Sequence, residues 1–272
     1  MGCTPFIWNK HVHTYKNEKN MDVLSVIILA AGKGTRMKSD LPKVLHPVAG
    51  KPMILHVISC ARQVTSDHHI HVVVGHGAQK VKQAVTACYP HVNFSLQKAL
   101  LGTGDAVKCA MPALADDVKN VVILYGDVPL IQSETVADLV STHRSYRAKV
   151  TILAADMDNP SGYGRIIQDP MNHVVAIREE ADASSDEKKI QRVNTGIYCF
   201  DRQFLSQALD QLTPDNQQGE YYLTDVVGIA CKNNDEVTVK ILKDPGQVRG
   251  VNTLDDLEKT RDFHRSKQNE LP

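Results

Sequence analysis

The sequence carries no excess of charge of either sign: 31 Lys and Arg balance 31 Asp and Glu. The field of the whole chain therefore gives no reason to expect nucleic acid or an anionic membrane as partner, and any positive potential must be local to a site. Paired cysteines are missing too. Cys3, Cys60, Cys88, Cys109, Cys199 and Cys231 are scattered with no Cys-x-x-Cys among them, which suits free thiols in a reducing, cytoplasmic setting better than a disulfide framework or a zinc site. No apolar stretch reaches the roughly 20 residues that a membrane-spanning helix needs; the longest covers 23–31. Internal repeats and low-complexity tracts are absent. A chain of 272 residues is expected to form one large domain or two closely packed lobes and to bury roughly three quarters of its unfolded surface.

Residues 1–20 stand apart. They are polar, include Lys16-Asn17-Glu18-Lys19, and lack the apolar core of a signal peptide. Phe6 stands where a lipidation motif opening at Met1-Gly2 needs Ser or Thr. A disordered extension is expected there, with the fold starting at Met21.

What is present begins directly afterwards. The apolar run 23–28 fits a strand buried on both faces, and it leads into Leu29-Ala30-Ala31-Gly32-Lys33-Gly34-Thr35-Arg36, with Leu41-Pro42-Lys43 following. Gly32 and Gly34 let the backbone turn tightly and bring N–H groups against phosphate oxygens, while Lys33, Arg36 and Lys43 supply charge. The shape suits a nucleoside triphosphate. Two commoner phosphate loops are excluded, because Met37 stands where the dinucleotide fingerprint needs its third glycine and where it breaks the P-loop spacing.

Downstream, helix-like segments at 52–63, 78–87 and 103–114 alternate with strand-like runs at 71–74, 92–96 and 121–125, the pattern of a parallel sheet covered on both faces. Pro52 suits the first turn of its helix, and Ser133 is placed to cap a helix over 134–145. The strand at 121–125 ends in Gly126-Asp127, which puts Asp127 at the carboxyl end of a central strand, where open α/β sheets bind ligands. Beyond it the texture changes. Strands at 149–155, 164–168, 174–177 and 193–200 are separated by turn-rich loops, and the polar stretch 181–189 reads as a mobile loop. Helices at 201–212, 220–232 and 253–266, with a strand at 236–242, complete the chain. The expected fold class is α/β: a Rossmann-like, mostly parallel sheet with a second, smaller mixed lobe.

Leu29-Ala30-Ala31-Gly32 with Gly34-Thr35-Arg36-Met37 and Pro42-Lys43 resembles the opening motif of sugar-1-phosphate nucleotidyltransferases. Further motifs follow in order: Gln97 with Leu101-Gly102-Thr103-Gly104, Tyr125-Gly126-Asp127-Val128-Pro129-Leu130, Gly162-Tyr163-Gly164-Arg165, Asn194-Thr195-Gly196, Gly219-Glu220-Tyr221-Tyr222-Leu223-Thr224-Asp225 and Gly250-Val251-Asn252. Spread over 23–252, they are similar to the uridylyltransferase half of the bacterial bifunctional N-acetylglucosamine-1-phosphate uridylyltransferases. The resemblance implies the nucleotide-diphospho-sugar transferase fold, with a nucleotide lobe over 21–148, a sugar-binding lobe over 149–252 and a C-terminal helix over 253–268. It also implies transfer of uridylate from UTP to N-acetylglucosamine 1-phosphate with magnesium (Mg2+) as cofactor. Another sugar 1-phosphate, thymidylate transfer, or a non-catalytic nucleotide-sugar-binding subunit are the alternatives.

On that resemblance, Asp127 and Asn252 are expected to hold the metal through one carboxylate and one amide oxygen beside phosphates and water. Taken as residues alone, Asp127 is an ordinary turn residue after Gly126 and Asn252 an ordinary helix start before Thr253. Arg36 and Lys43 would neutralise a triphosphate and the leaving pyrophosphate, because phosphoryl-type transfer depends mainly on positioning and electrostatics; Pro42 restrains the backbone that aims Lys43. Leu29, Ala31, Gly32, Gly34 and Thr103 fall at the nucleotide, with Gln97 and Gly102 reading the base. A glutamine amide offers a donor and an acceptor and can flip, so Gln97 by itself does not choose a base. Tyr125, Gly164, Glu179 and Asn194 fall at sugar positions, where Glu179 can accept from hydroxyls and Asn194 can serve a hydroxyl or an N-acetyl group.

Two departures qualify the resemblance. Where the family has Glu-x-Lys-Asp-Ala, this chain has Glu179-Glu180-Ala181-Asp182-Ala183, so a cation expected beside the sugar phosphate is missing. The hexapeptide repeats of the family's acetyltransferase half, which also builds its trimer, do not occur before Pro272. The expectations are therefore no acetyltransferase domain, a monomer or weak oligomer with small-molecule substrates, and a separate acetyltransferase as candidate partner.

Overall fold

A computed structural model of the protein describes residues 23–269; the expected extension at 1–20 and the start at Met21 lie outside the described residues. In chain order the strands are β1 (Val23–Ala30), β2 (Pro47–Val48), β3 (Lys51–Pro52), β4 (Ile70–Val74), β5 (Asn93–Leu96), β6 (Val118–Tyr125), β7 (Val150–Asp156), β8 (Gly164–Gln168), β9 (Val174–Arg178), β10 (Arg192–Asp201) and β11 (Val237–Ile241). The helices are α1 (Met53–Ala61), α2 (Ala78–Thr86), α3 (Thr103–Ala110), α4 (Ser133–Tyr146), α5 (Arg202–Leu209), α6 (Asp225–Lys232) and α7 (Leu254–Asn269).

One sheet runs in the order β11-β7-β10-β6-β1-β4-β5, with the β8–β9 hairpin joined to it through β10 and the small β2–β3 ribbon apart. β1 pairs in parallel with β4 and β6, β4 with β5, and β7 with β11. β10 lies antiparallel between β6 and β7. The expected α/β class with a mostly parallel sheet is what the chain adopts.

The alternation within β1 explains its central place. Val26 and Ile28 belong to one buried layer with side chains of α1, α2 and α4, whereas Ile27 and Leu29 belong to the other with α3, α5 and α6. A strand apolar on both faces is stable only where both are covered. Successive strands add on one flank of β1 as far as β5, and the chain then returns to the other flank as β6. The strand order thus reverses between β1 and β6, the place where open α/β sheets bind ligands at the carboxyl ends of their strands.

Five helix starts differ from the sequence reading: α5 and α7 start one residue later, at Arg202 and Leu254, and at α1, α4 and α6 groups outside the helix take hydrogen bonds beside the start. α1 starts at Met53, not Pro52: Pro52 pairs with Pro47 in the β2–β3 ribbon, and the Met53 N–H donates to the His46 carbonyl at 3.1 Å. Ser133 does not cap α4 but is its first residue. The N–H of Gln132 and the hydroxyl of Thr135 donate to Gln247 Oε1 at 3.3 and 2.8 Å, which ties the helix start to a remote loop, while no side chain among the described residues caps the first-turn N–H groups. The helix expected from 220 begins at Asp225, because the preceding residues are clipped to the start of α3: the Tyr221 N–H donates to the Leu101 carbonyl at 2.7 Å, and the Gly104 N–H to the Tyr221 carbonyl at 2.8 Å. The stretch 181–189 folds on itself, with the Ser184 N–H on Glu187 Oε2 at 2.8 Å and the Glu187 N–H on Ser184 Oγ at 3.2 Å.

Cys60, Cys88, Cys109, Cys199 and Cys231 are free thiols. Among the described residues no helix is long and apolar enough to cross a membrane.

Ile123 is fully buried on β6, with Ile27 of β1 and Tyr198 of β10 as its cross-strand neighbours. Ile123→Ala should cost about 2–5 kcal/mol, read as a lower urea midpoint with an unchanged slope; a loss below about 1 kcal/mol would mean that this centre is loosely packed.

Candidate active site

The loop after β1 is held in place by one apolar side chain. Met37 is wholly buried with Val48, Met53, Val251 and Leu257, which anchors the 31–37 turn against α1 and α7. Gly34 has φ +62, and a Cβ there would lie 2.6 Å from Lys43 Cβ. Only glycine lets the loop pass that close to Lys43. Val44 and Leu45, buried after Pro42, fix the turn from which the Lys43 side chain extends.

Backbone hydrogen bonds then bring two more segments to the same edge. The Gly126 N–H donates to the Leu29 carbonyl at 2.9 Å, and the Val251 N–H to the Asp127 carbonyl at 2.9 Å. Asn252 follows directly and is fixed by Asp256, whose Oδ2 accepts the N–H groups of Asn252 at 3.0 Å and Thr253 at 2.9 Å, while Thr253 Oγ1 accepts the Asp256 N–H at 3.1 Å. Burial alone would raise the Asp256 carboxyl, but these hydrogen bonds hold it below its ordinary value.

At the centre of this edge Lys43 Nζ pairs with Asp127 Oδ2 and donates to Asn252 Oδ1 at 3.0 Å. Both side chains of the ion pair keep only 15% of their surface in solvent. The carboxylate and the amide oxygen expected to hold a metal therefore converge, and a cation, the ammonium, already sits on both. An all-oxygen donor pair with one anionic member fits a hard divalent ion such as magnesium. Arg36 stands exposed nearby.

At the other end, Gln97 is buried and its side-chain amide is fully engaged as a donor: Nε2 gives one hydrogen bond to the Gly102 carbonyl at 3.0 Å and one to Asp105 Oδ2 at 2.8 Å. Gly102 has φ +114, and a Cβ there would meet the Tyr221 carbonyl at 2.6 Å. Thr103 Oγ1 accepts the Leu223 N–H at 3.0 Å.

Of the residues expected at the sugar, Gly164 opens β8, Glu179 directly follows β9, Asn194 lies on β10 and Tyr125 ends β6. Gly164 sits opposite Asn194 in the β8–β10 register, and a Cβ on Gly164 would lie 3.3 Å from Glu179 Oε2. Thr224 Oγ1 donates to Glu179 Oε1 at 3.1 Å, and Asn194 Oδ1 accepts the Gly196 N–H at 3.0 Å. Burial pushes the Glu179 carboxyl above its ordinary value, opposed by the Thr224 hydrogen bond and reinforced by the charges of Asp225 and Asp182. Tyr125 packs over this group, its ring 2.8 Å from where a Gly196 Cβ would be.

A cavity of about 630 Å³ joins the two ends. Every candidate residue lines it except Gly34, Gly164, Glu179 and Asn194. Gly34 instead packs against Lys43. Ala181 is not on the lining either. Tyr163, Glu220 and Asp256 line it without having been singled out, although the first two lie inside quoted motifs and Thr253-x-x-Asp256 has capping-box spacing. Arg165, wholly buried, steadies the Tyr163 loop: its Nη2 pairs with Glu180 Oε2 at 2.8 Å, and the Gly162 N–H donates to the same oxygen at 3.2 Å.

Residues 25–249 match the family described as Nucleotidyl transferase. The chain is 45% identical over 250 residues to the Bifunctional protein GlmU of Marinobacter nauticus, covering 92% of this chain and 54% of that protein. To the protein of the same name from Desulfotalea psychrophila it is 42% identical over 253 residues, covering 92% and 73%. The chain spans about half the length of the first of these relatives. A solved structure described as a glucose-1-phosphate thymidylyltransferase from Bacillus anthracis, in complex with a sucrose, matches with a TM-score of 0.68 over 89% of this chain and 96% of that one. At 20% identity that likeness is one of fold.

The raised Glu179 carboxyl makes a pH prediction. A carboxyl with a folded pKa above its unfolded one binds more protons in the native state, so its contribution to stability falls as pH rises from the ordinary glutamate value of 4.5 to the raised value. Glu179→Gln should therefore melt a few degrees above the parent at neutral pH, and the gap should close toward about pH 4. Melting curves across that range check it; a gap that does not vary with pH would mean that Glu179 ionises without penalty.

Proposed function

The chain belongs to the nucleotidyl transferase family, and on that premise we propose that it transfers uridylate from UTP to N-acetylglucosamine 1-phosphate, giving UDP-N-acetylglucosamine and pyrophosphate. The observation that carries the reading is the single cavity with Gln97 and Gly102 at one end and Lys43, Asp127 and Asn252 at the other. A nucleotide laid between them has its base at Gln97 and its phosphates toward the cationic end.

In the reaction an oxygen of the sugar phosphate attacks the α-phosphorus in line. The bond from that phosphorus to the bridging oxygen breaks, and pyrophosphate leaves with the electron pair. Neither step needs a covalent protein intermediate. Asp127 and Asn252 would hold the magnesium ion, which when bound supplies charge neutralisation at the phosphates. Arg36 and Lys43 add fixed positive charge where negative charge develops on the leaving group. Ala31, Gly32 and Thr103 shape the nucleotide site, and Tyr125, Gly164, Glu179 and Asn194 the sugar site, the former within 21–148 and the latter mostly within 149–252. Glu179 accepts from sugar hydroxyls, and polar groups of this kind reject analogues that leave them unpaired. Free thiols and a UTP substrate support a cytoplasmic setting.

The test is pyrophosphate release across a grid of nucleotides and sugar 1-phosphates, in which UTP with N-acetylglucosamine 1-phosphate should be the best pair. Asp127→Asn should keep the parent's circular-dichroism spectrum and lose roughly 100- to 1000-fold in turnover, the usual cost of removing one transition-state stabiliser. Turnover within about threefold of the parent would remove Asp127 from the mechanism.

A further inference from the structure

Gln97 makes two hydrogen bonds whose partners are both acceptors. Its Nε2 gives one N–H to the Gly102 carbonyl at 3.0 Å and the other to Asp105 Oδ2 at 2.8 Å. A carbonyl oxygen and an ionised carboxylate have no proton to donate. Flipping the amide would press Oε1 against two oxygens and leave both of them without their donor, inside a side chain that is 4% exposed. The flip ambiguity that glutamine carries by residue type is thereby removed. Oε1 is the one hydrogen-bonding atom of the amide left for a ligand, on a residue that lines the cavity.

Gly102 supplies its share from the backbone, at a position where φ +114 and the Tyr221 carbonyl leave no room for a side chain. Asp105 supplies the other half, from the first turn of α3, where a carboxylate is also favoured by the helix dipole. We infer that Asp105 is a positioning residue for base selection: by holding the Gln97 amide in one orientation, it makes the site choose a pyrimidine that presents a ring N3–H over one that presents a bare ring nitrogen. This deepens the proposed uridylyl reading and rests on it for the placement of the base. Uracil and its 5-methyl derivative both carry N3–H and are accepted alike by Oε1. Cytosine offers a lone pair at N3, and two acceptors then face each other across a desolvated contact.

Calorimetric binding of UTP, CTP and 5-methyl-UTP, with magnesium present, tests this without depending on turnover. The parent should bind UTP more tightly than CTP. In Asp105→Asn the new amide can donate to Gln97 Oε1, so Nε2 can turn toward the base; the UTP-over-CTP ratio should narrow about tenfold, the worth of roughly one hydrogen bond. Asp105→Ala, which removes the second acceptor and adds no donor, should narrow it less. The ratio of UTP to 5-methyl-UTP should stay at the parent's value in both. An unchanged UTP-over-CTP ratio in folded variants, an equal loss for all three nucleotides, or no preference in the parent would each overturn the inference. A parent that prefers UTP in this manner yet releases no pyrophosphate with any sugar phosphate would leave the amide lock standing and sink the transfer reading instead.

Discussion

The parallel contact between β1 and β6 is the constraint on which the site depends. Because the Gly126 N–H bonds to the Leu29 carbonyl, the loops leaving those two strands start from one point; because the Val251 N–H bonds to the Asp127 carbonyl, a third segment is strung onto the same edge. All of these are main-chain bonds. Segments near 31, 127 and 252 are thus brought together by groups that every residue carries, and the side chains on them inherit their positions. Lys43, Asp127 and Asn252 do not find one another by their own attraction. The conformational cost of assembling them is met in folding the sheet, before any ligand arrives.

Electrostatics decides what such an assembly can be for. A pair about 4 Å apart at an effective dielectric constant near 20 attracts with roughly 4 kcal/mol, while taking two ions largely out of water costs several kcal/mol for each. The ion pair of Lys43 and Asp127 therefore adds no net stability, and an apolar pair would serve stability as well. Removing one partner is different in kind, since it strands a partly buried charge at a cost of about 3–5 kcal/mol. A nearly neutral pair that is expensive to break, placed at the floor of a cleft, is better understood as a cation-binding carboxylate kept neutral by an ammonium than as a brace for the fold.

How much of this was legible depends on whether the governing interaction was local. The two-faced apolar run of β1 and its alternation with helices are local, and they were enough for the α/β class and the place of Asp127 at a strand end. The motif residues were legible as a set, and most of them meet in one cavity. What escaped was fixed from a distance. Ser133 has every local credential of a helix cap, yet it is the first helical residue, and its neighbours Gln132 and Thr135 are held by Gln247. The stretch from Glu220 has helical composition, but its N–H and carbonyl groups are claimed by Leu101 and Gly104. The orientation of Gln97 was undecidable from its type, and only Asp105 and the Gly102 carbonyl settle it. Asp256 went unread although its spacing from Thr253 implies the bond to the Thr253 N–H; the further bond to the Asn252 N–H lies outside that pattern and is seen only in the structure.

Gln97 on the cavity wall and Glu179, off its lining, stand in opposite energetic states. At Gln97 every donor of the amide is satisfied, so this end is rigid and gains little from reorganising when a base arrives. At Glu179 burial and the charges of Asp225 and Asp182 oppose ionisation of the carboxyl, while Thr224 donates to it. A hydroxyl donor reaching Glu179 would add a second hydrogen bond to the carboxylate and offset that penalty. On the proposed reading, selectivity at Gln97 would come from refusing the wrong pattern of donors and acceptors, and at Glu179 from a burial penalty that a correctly placed donor offsets.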